Sequence, residues 1–450
     1  MKKVLFFFIL SLCFYIQAEN NNIEEENTEE DDNTGFNFEE INDEKKDFSV
    51  SIGGSIYTGV NLFFSDFKNL KNIKPSSLVW GSLYVEALSP LTYALISFKL
   101  NDKTLPFNLG NKWENSYNTA IPRWIDEAFL QIFASWFYFS GGIKKLTWGR
   151  IDSLSVLDVV NPVDKTETFL PQESLKMSVP MFQSILYMPK DVKLELVFLP
   201  IFQPNLFAIE GKWQTKELNI FKSITNINSI ETIKDIMQKD TTNLGYAHGG
   251  ARLTATINNT HDLGFQYFYG YSKAPYLLKN SGTSYNIEYP QFHNIGFDYG
   301  LVIKVLNIKV EACTNIIHQK ETPIKTNFEI NTNFEVSLPY SLTISMLLKE
   351  TIWTSFIQEK DNTYIFVRNK NLTDTVLYFY ISQSLLRQAL EWRFEFIANI
   401  ENKEFFVIPS IHALLGTIIL DTKIGIFINN NVYSQYDKSS FFKLSLGYVF

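Results

Sequence analysis

Arg150, Asp152, Asp158, Asp164, Lys165, Glu167 and Glu173 stand in one stretch, "GRIDSLSVLDVVNPVDKTETFLPQESLKMSV" (149–179). Carboxylates set opposite bases across a water-filled path create a transverse field that sorts permeants by charge and size. The same stretch holds Leu154, Val156, Leu157, Val159 and Val160, more apolar surface than a segment facing only water needs. Asn161-Pro162 is a turn signal that would reverse the chain. Folded inward against a wall, the stretch would bury its apolar side and present its charges to a lumen as a constriction. The alternative is that the aspartates cap turns and the apolar residues pack on neighbouring segments.

Other chemistries find little support. Cys13 and Cys313 are the only cysteines, and Cys13 lies in the leader, so neither an internal disulfide nor a Cys-based metal site is expected. His248, His261, His293, His318 and His412 are scattered, without HxH or HExxH spacing, and no metal or cofactor is expected. A barrel hydrolase would need Ser/His/Asn or Asp/His sets near a rim. His261 does adjoin Asp262, but in a tight turn, and His318 has no Asp or Ser close in sequence. An enzyme is therefore not expected. No basic patch offers a nucleic acid a footprint.

The elements that would hold such a stretch begin with an export signal. "MKKVLFFFILSLCFYIQA" places two lysines before an apolar run and small Ala18 after it, as in a signal peptide cleaved after residue 18. Leu12 is too bulky for a lipoprotein signal at Cys13. Of the 48 acids and 40 bases, 13 and 4 fall in residues 1–47, leaving 35 acids against 36 bases in 48–450. Residues 19–46 are thus an acidic, Asn-rich segment expected to be disordered on the periplasmic side.

No later segment is apolar for the roughly 18 residues a helical span requires, yet 15% of the chain is aromatic, with 39 Phe and 22 Tyr. An exported chain of this composition suits an all-β transmembrane barrel of the outer-membrane type. Eighteen alternating segments run from 47–64 to 439–450. Val192, Leu194, Leu196 and Phe198 oppose Lys193 and Glu195, and Leu390, Trp392, Phe394 and Phe396 oppose Glu391, Arg393 and Glu395. Tight connections ("SP", "SWF", "PKD", "NTHD", "VLN", "LPYS", "RQ", "LGT") alternate with longer ones, apart from the short 401–403. Periplasmic turns alternating with extracellular loops give this pattern. It predicts an antiparallel barrel over 47–450 of about 18 strands, with 16 also compatible, and long extracellular loops at 149–179 and 201–245.

The terminal stretch "FFKLSLGYVF" puts Phe442, Leu444, Leu446, Tyr448 and Phe450 on one face and Lys443, Ser445 and Gly447 on the other. A last strand that closes on the first can end on an aromatic at the membrane interface. Tyr448 and Phe450 also resemble the terminal signal read by the outer-membrane assembly machinery. That machinery and outer-membrane lipid are the expected partners, beside an unidentified small-molecule permeant.

Alternation places Lys144, Lys193, Lys309, Arg393, Lys423 and Lys443 in the lumen with Glu195, Glu311, Glu329, Glu335, Glu391, Glu395 and Asp421. So balanced a set predicts a weakly selective channel. Phe268, Phe427 and Phe441 share that face and permit a gated path for a hydrophobic or lipidic substrate. The long loops are also compatible with an adhesin. In "NSIETIKDIMQKD", Asn228 as a cap with Glu231, and Ile230, Ile233 and Met237 on one face, predict a short surface helix.

The segment "EAFLQIFASWFYFSGGIKKLTWGRIDSLSVLDVVNPVD" (127–164) resembles an uncharacterised family of porin-like outer-membrane proteins, alginate-export-like in look. The resemblance rests on Trp148, Gly149, Asp158, Asn161, Pro162 and Asp164. "GGARLTATINNTHDLGFQYFYGYSKAP" (249–275) resembles that family's next hairpin. The resemblance implies passive outer-membrane transport, of a bulky or lipidic solute.

Overall fold

Period-two alternation leaves each strand with one oily and one polar face, and a sheet in lipid has no water to satisfy an open edge. Closure meets both demands. A computed structural model of the chain describes residues 48–64, 76–101, 121–166, 175–208, 213–214, 222, 229, 232–233, 239–279, 285–317, 326–354, 373–429 and 439–450. The expected signal peptide, the acidic segment, Glu167, Glu173, Asn228, Ile230, Glu231, Met237 and His318 lie outside these.

Eighteen antiparallel strands form one closed barrel. They are β1 (Ser49–Phe63), β2 (Ser76–Leu88), β3 (Thr92–Asn101), β4 (Ile125–Ala134), β5 (Phe137–Lys144) and β6 (Val179–Met188). Next come β7 (Val192–Leu199), β8 (His248–Ile257), β9 (His261–Tyr271), β10 (Gln291–Ile303), β11 (Leu306–Ile317) and β12 (Thr326–Leu338). The last six are β13 (Leu342–Trp353), β14 (Thr373–Leu385), β15 (Leu390–Asn399), β16 (Glu404–Leu415), β17 (Ile418–Asn429) and β18 (Phe441–Val449). Each expected segment overlaps one of these strands, in order, so the barrel has 18 strands and not 16.

The seam is made by β18 on β1, in register from Ser55↔Val449 to Phe63↔Phe441. Beyond the strand, Gly54 N donates to Phe450 O at 2.9 Å and Phe450 N to Gly54 O at 3.0 Å. The β18–β1 pairing thus continues through Phe450. Leu444 and Leu446 are exposed on the outer face, while Phe441, Lys443 and Ser445, on the alternate positions, are buried. The same contrast recurs round the wall. Ile52, Ile56, Leu196, Phe198, Phe265, Ile295, Met346, Leu348, Ile426 and Ile428 are all exposed outward. This belt is apolar because its solvent is lipid.

At the short-turn end the chain reverses through left-handed residue pairs, Lys190–Asp191, Asn258–Asn259 and Tyr340–Ser341, all with positive φ. Two successive residues of this kind fit the right-handed twist of the flanking strands. In the fourth long loop, Ser229 Oγ accepts from Thr232 N at 3.4 Å and the Ser229 carbonyl from Ile233 N.

Candidate functional site: a loop fastened inside the barrel

The strand face opposite the lipid belt carries the residues that hold the 149–179 stretch. Past β5, Trp148 is fully buried among Val160, Val179, Met181, Val197, Leu199 and Phe268, meeting Phe268 edge-on at 5.9 Å between centroids. Gly149 follows at φ +98°, where a Cβ would be strained and would also strike Ser155 Oγ and Glu311 Oε1. This turn aims the chain into the lumen.

Glu311 of β11 then fastens it. Its Oε1 accepts from the backbone N–H of Arg150 at 2.6 Å and of Ile151 at 2.8 Å. Its Oε2 accepts from Ser155 Oγ at 2.7 Å and Val156 N at 3.1 Å. One fully buried carboxylate thus satisfies four loop donors, and hydrogen bonds to an ionised acceptor are stronger than neutral ones. Wall side chains also reach the loop carbonyls. Gln266 donates to Leu157 O at 2.9 Å, Asn331 to Leu154 O at 3.0 Å, and Cys313 Sγ to Val156 O at 3.3 Å. Leu157 fits where Gly296 of β10 has no side chain; a Cβ there would collide with it. At its far reach Ile151 packs with Leu347 of β13 and Tyr378 of β14. A loop rooted at β5 therefore extends to the far side of the eighteen-strand wall.

The charged residues of the stretch divide into two groups. Arg150 is tied to the wall, its Nε donating to Asp298 at 2.5 Å and its guanidinium lying 3.2 Å from Asp262; Asp298 also receives Arg252. Asp158 pairs with Lys176 at 2.6 Å, and Asp164 with Arg123. Burial works against the Asp164 charge, but the Arg123 guanidinium and the Thr166 donors hold its carboxyl below the usual range. Lys165 lies over the Phe207 ring. Asp152 is different: its side chain is 90% exposed, with Lys309 beside it at 3.3 Å.

Neighbouring loops brace this one. Asn161 accepts from Leu146 N and donates to the carbonyls of Lys144 and Met177. Lys273, half-buried beyond the end of β9, donates to Asn161 O. Asp164–Lys165 pairs in parallel with Leu206–Phe207 of the next long loop.

The remaining charged residues read as lumen-lining are on the inner wall and largely engaged. Lys144 donates to Tyr138, Ser140 and Gln183. Glu195 accepts from Gln183, and Lys193 sits over Tyr187. Glu329 pairs with Lys349 at 3.2 Å, and Glu335 accepts from Tyr380. Arg393 lies between Glu391 and Glu395, and Lys443 is 4.5 Å from the centre of the Trp80 ring. Lys423 is opposite Lys443 across β17 and β18, and Asp421 pairs with His412 at 2.6 Å. His261 and Asp262 point to opposite faces of β9; His261 pairs with Tyr299 and Asp262 with Arg150, so they form no dyad.

Asp298, Arg252, Gln266 and Asn331 were not singled out by sequence reasoning. A signal exists for Asp298: it stands in "GFDYG" between Gly296 and Gly300. Glycines two residues to either side of an inner-face acid mark a wall against which something packs closely.

This architecture recurs in solved barrels. Acinetobacter baumannii OccAB4 is 10% identical and matches over 91% of this chain and 100% of its own, with a TM-score of 0.50. Pseudomonas aeruginosa OccK11 (OpdR) is 8% identical over 89% of this chain and 95% of its own, also with a TM-score of 0.50. The fold is that of a porin-type outer-membrane β-barrel. No protein-family model and no curated protein sequence matches the chain. The resemblance of 127–164 and 249–275 to an alginate-export-like family thus gains no support beyond the porin-like barrel.

Proposed function

We propose that the protein is a passive diffusion channel of the outer membrane for small or medium solutes, and that its third long loop forms the constriction. The observation that carries this reading is the Glu311 anchorage, which holds residues 150–156 inside a barrel whose inner wall is polar. The passage then runs between the loop and the wall that the loop leaves uncovered. Of the loop carboxylates, exposed Asp152 acts on permeating ions; Asp158 and Asp164 are neutralised by their partners and serve loop packing. With the wall charges mostly paired, selectivity is weak. No covalent chemistry is required, and we assign no catalytic residue or cofactor.

Single-channel recording of the refolded protein in planar bilayers tests this. Asp152→Lys shifts the reversal potential in a salt gradient toward anion preference. The double change Asp158→Asn with Asp164→Asn instead raises open-channel noise and leaves the reversal potential nearly in place. Discrete openings indifferent to Asp152→Lys would remove the constriction from this loop. Silence from correctly folded barrels would remove the channel.

A further inference from the structure

The third loop's wall contacts run from Gln266 of β9 to the cluster with Tyr378 of β14, and centre on Glu311 of β11. In a closed ring of eighteen strands, β1 and β2 stand half the ring away from β10 and β11, across the lumen. A solute passing between the loop and the opposite wall travels along them.

Ile52, Ile56 and Val60 of β1 and Val79 of β2 are exposed to lipid, so the residues between them point inward. Rings and small residues alternate on that inner face. Tyr57 and Trp80 are cross-strand partners whose rings are parallel to within 3° at 5.0 Å between centroids. Behind Tyr57 is Gly447 of β18, where a Cβ would strike the ring. Four residues further along β2, Tyr84 lies across its partner Gly53, where a Cβ would strike its ring and hydroxyl. A glycine behind a ring lets the ring lie along the wall, and Tyr84 keeps 37% of its surface exposed.

The Trp80 and Tyr84 levels are about 13 Å apart along the strand. Between them β1 and β2 turn Ser55 and Ser82 inward, with hydroxyl oxygens 2.9 Å apart. Past Tyr84, on the short-turn side, Glu86 accepts from Ser51 at 2.6 Å and from Tyr93 at 2.9 Å. At the other end Lys443 Nζ lies 4.5 Å from the centre of the Trp80 ring, and Lys99 of β3 stands opposite Ser82.

We propose that this strip is a binding track for uncharged sugars. Pyranose rings of a short oligosaccharide lie on Tyr84 and on the Tyr57–Trp80 pair, and their hydroxyls exchange hydrogen bonds with Ser55, Ser82 and Glu86. The inference rests on the channel reading and names its permeant. A pyranose has an apolar face of C–H groups and an edge of hydroxyls, each both donor and acceptor. The strip offers the complement of both: ring faces that gain by being covered, and serines that donate and accept as the sugar does. A planar aromatic solute would cover the rings but leave the serine hydroxyls under it without partners, which is costly. An ion meets no charged side chain on β1 or β2 between the two ring levels.

The test uses the refolded full-length barrel in planar bilayers, with maltotriose and cellotriose, the α- and β-linked glucose trimers, as probes. At least one trimer interrupts the wild-type current in brief blocks whose frequency rises with its concentration. Tyr84→Leu and Trp80→Leu each weaken that block about tenfold, whereas Tyr84→Phe, which keeps the ring, blocks like the wild type. Ser55→Ala with Ser82→Ala leaves every ring in place and weakens the block several-fold, and it serves where a leucine variant fails to fold. Equilibrium dialysis of the labelled trimer against the detergent-folded barrel gives the same ranking without conduction.

A conducting barrel indifferent to both trimers would overturn the sugar track and leave the channel intact. Equal block of the wild type and the variants would take the site off these strands. Leucine variants that lose stability but bind as before would reduce the rings to covers for strand glycines. Indole blocking where the trimers do not would overturn the sugar chemistry. A silent barrel that binds the trimer in dialysis, with the variants ranked as above, would overturn the channel reading and keep the sugar site; silence without binding would overturn both.

Discussion

At the scale of single residues, Glu311 carries the largest consequence. Alternation reads it as a lumen-facing acid, but nothing in its local sequence announces the loop it holds. The four donors it accepts come from residues more than 150 positions earlier in the chain, and a long-range contact of that kind leaves no periodicity to read. Gly149 is legible as part of a Trp-Gly motif, and the structure supplies the reason: a positive φ, with the Glu311 carboxylate standing where a Cβ would collide with it. Glu311→Gln keeps the size but replaces one acceptor oxygen with an NH₂ that confronts donors. Hydrogen bonds to charged groups contribute about 1.5–3 kcal/mol each, and an unsatisfied buried donor costs a similar amount. The variant should fold, since the ladder hydrogen bonds are untouched, but should lose about 3 kcal/mol of loop fastening. Single-channel recording would show it as rapid flicker and substates absent from the wild type. A trace as quiet as the wild type would show that the remaining wall contacts suffice.

At the scale of elements, the strands were the legible part, because a lipid-facing residue must be apolar and its neighbour need not be. Val192 to Phe198 and Ile418 to Asn429 show that rule directly, and the tight turns fell within a residue or two of their places. The loops were less legible. Their contacts depend on which loops meet above the barrel, as with Asp164–Lys165 against Leu206–Phe207, and neither pair is marked by pattern. Lys273 is a case with a measurable outcome. Burial pushes its ammonium down to about 7, opposed by Asp158 and assisted by Lys176. In the unfolded chain the group titrates near 10.5. Between those values the unfolded state binds the extra proton, so stability rises with pH over that window; the penalty is full below about 7. The temperature at which the barrel loses its fast gel mobility should therefore climb from pH 7 to pH 10. Lys273→Met, which has no proton to lose, should flatten that climb. Parallel profiles for the two proteins would mean that Lys273 is hydrated and ordinary.

At the scale of the whole molecule, the alternation of residues 441–450 suits a strand between an oily and a wetter face, without saying how many neighbours it has. The structure gives it β17 and β1. Two roles remain mixed at Phe450, and they separate by experiment. Its backbone completes the seam through reciprocal bonds with Gly54, whereas its ring stands on the lipid side, stacked on Tyr448 at 6.3 Å. Phe450→Ala keeps the backbone pairing and removes only the ring; deletion of Phe450 removes both. If the ring is what the assembly machinery reads, Phe450→Ala should refold in detergent as completely as the wild type yet reach the outer membrane at a clearly reduced level. The deletion should do worse in both settings, because it also leaves the N–H and C=O of Gly54 without partners in a region where lipid supplies none. Equal deficits of Phe450→Ala in detergent and in cells would instead make the ring a part of seam stability. The recognition role would then fall to the strand's apolar face as a whole, Leu444 and Leu446 included, and substitutions there would carry the in-cell defect.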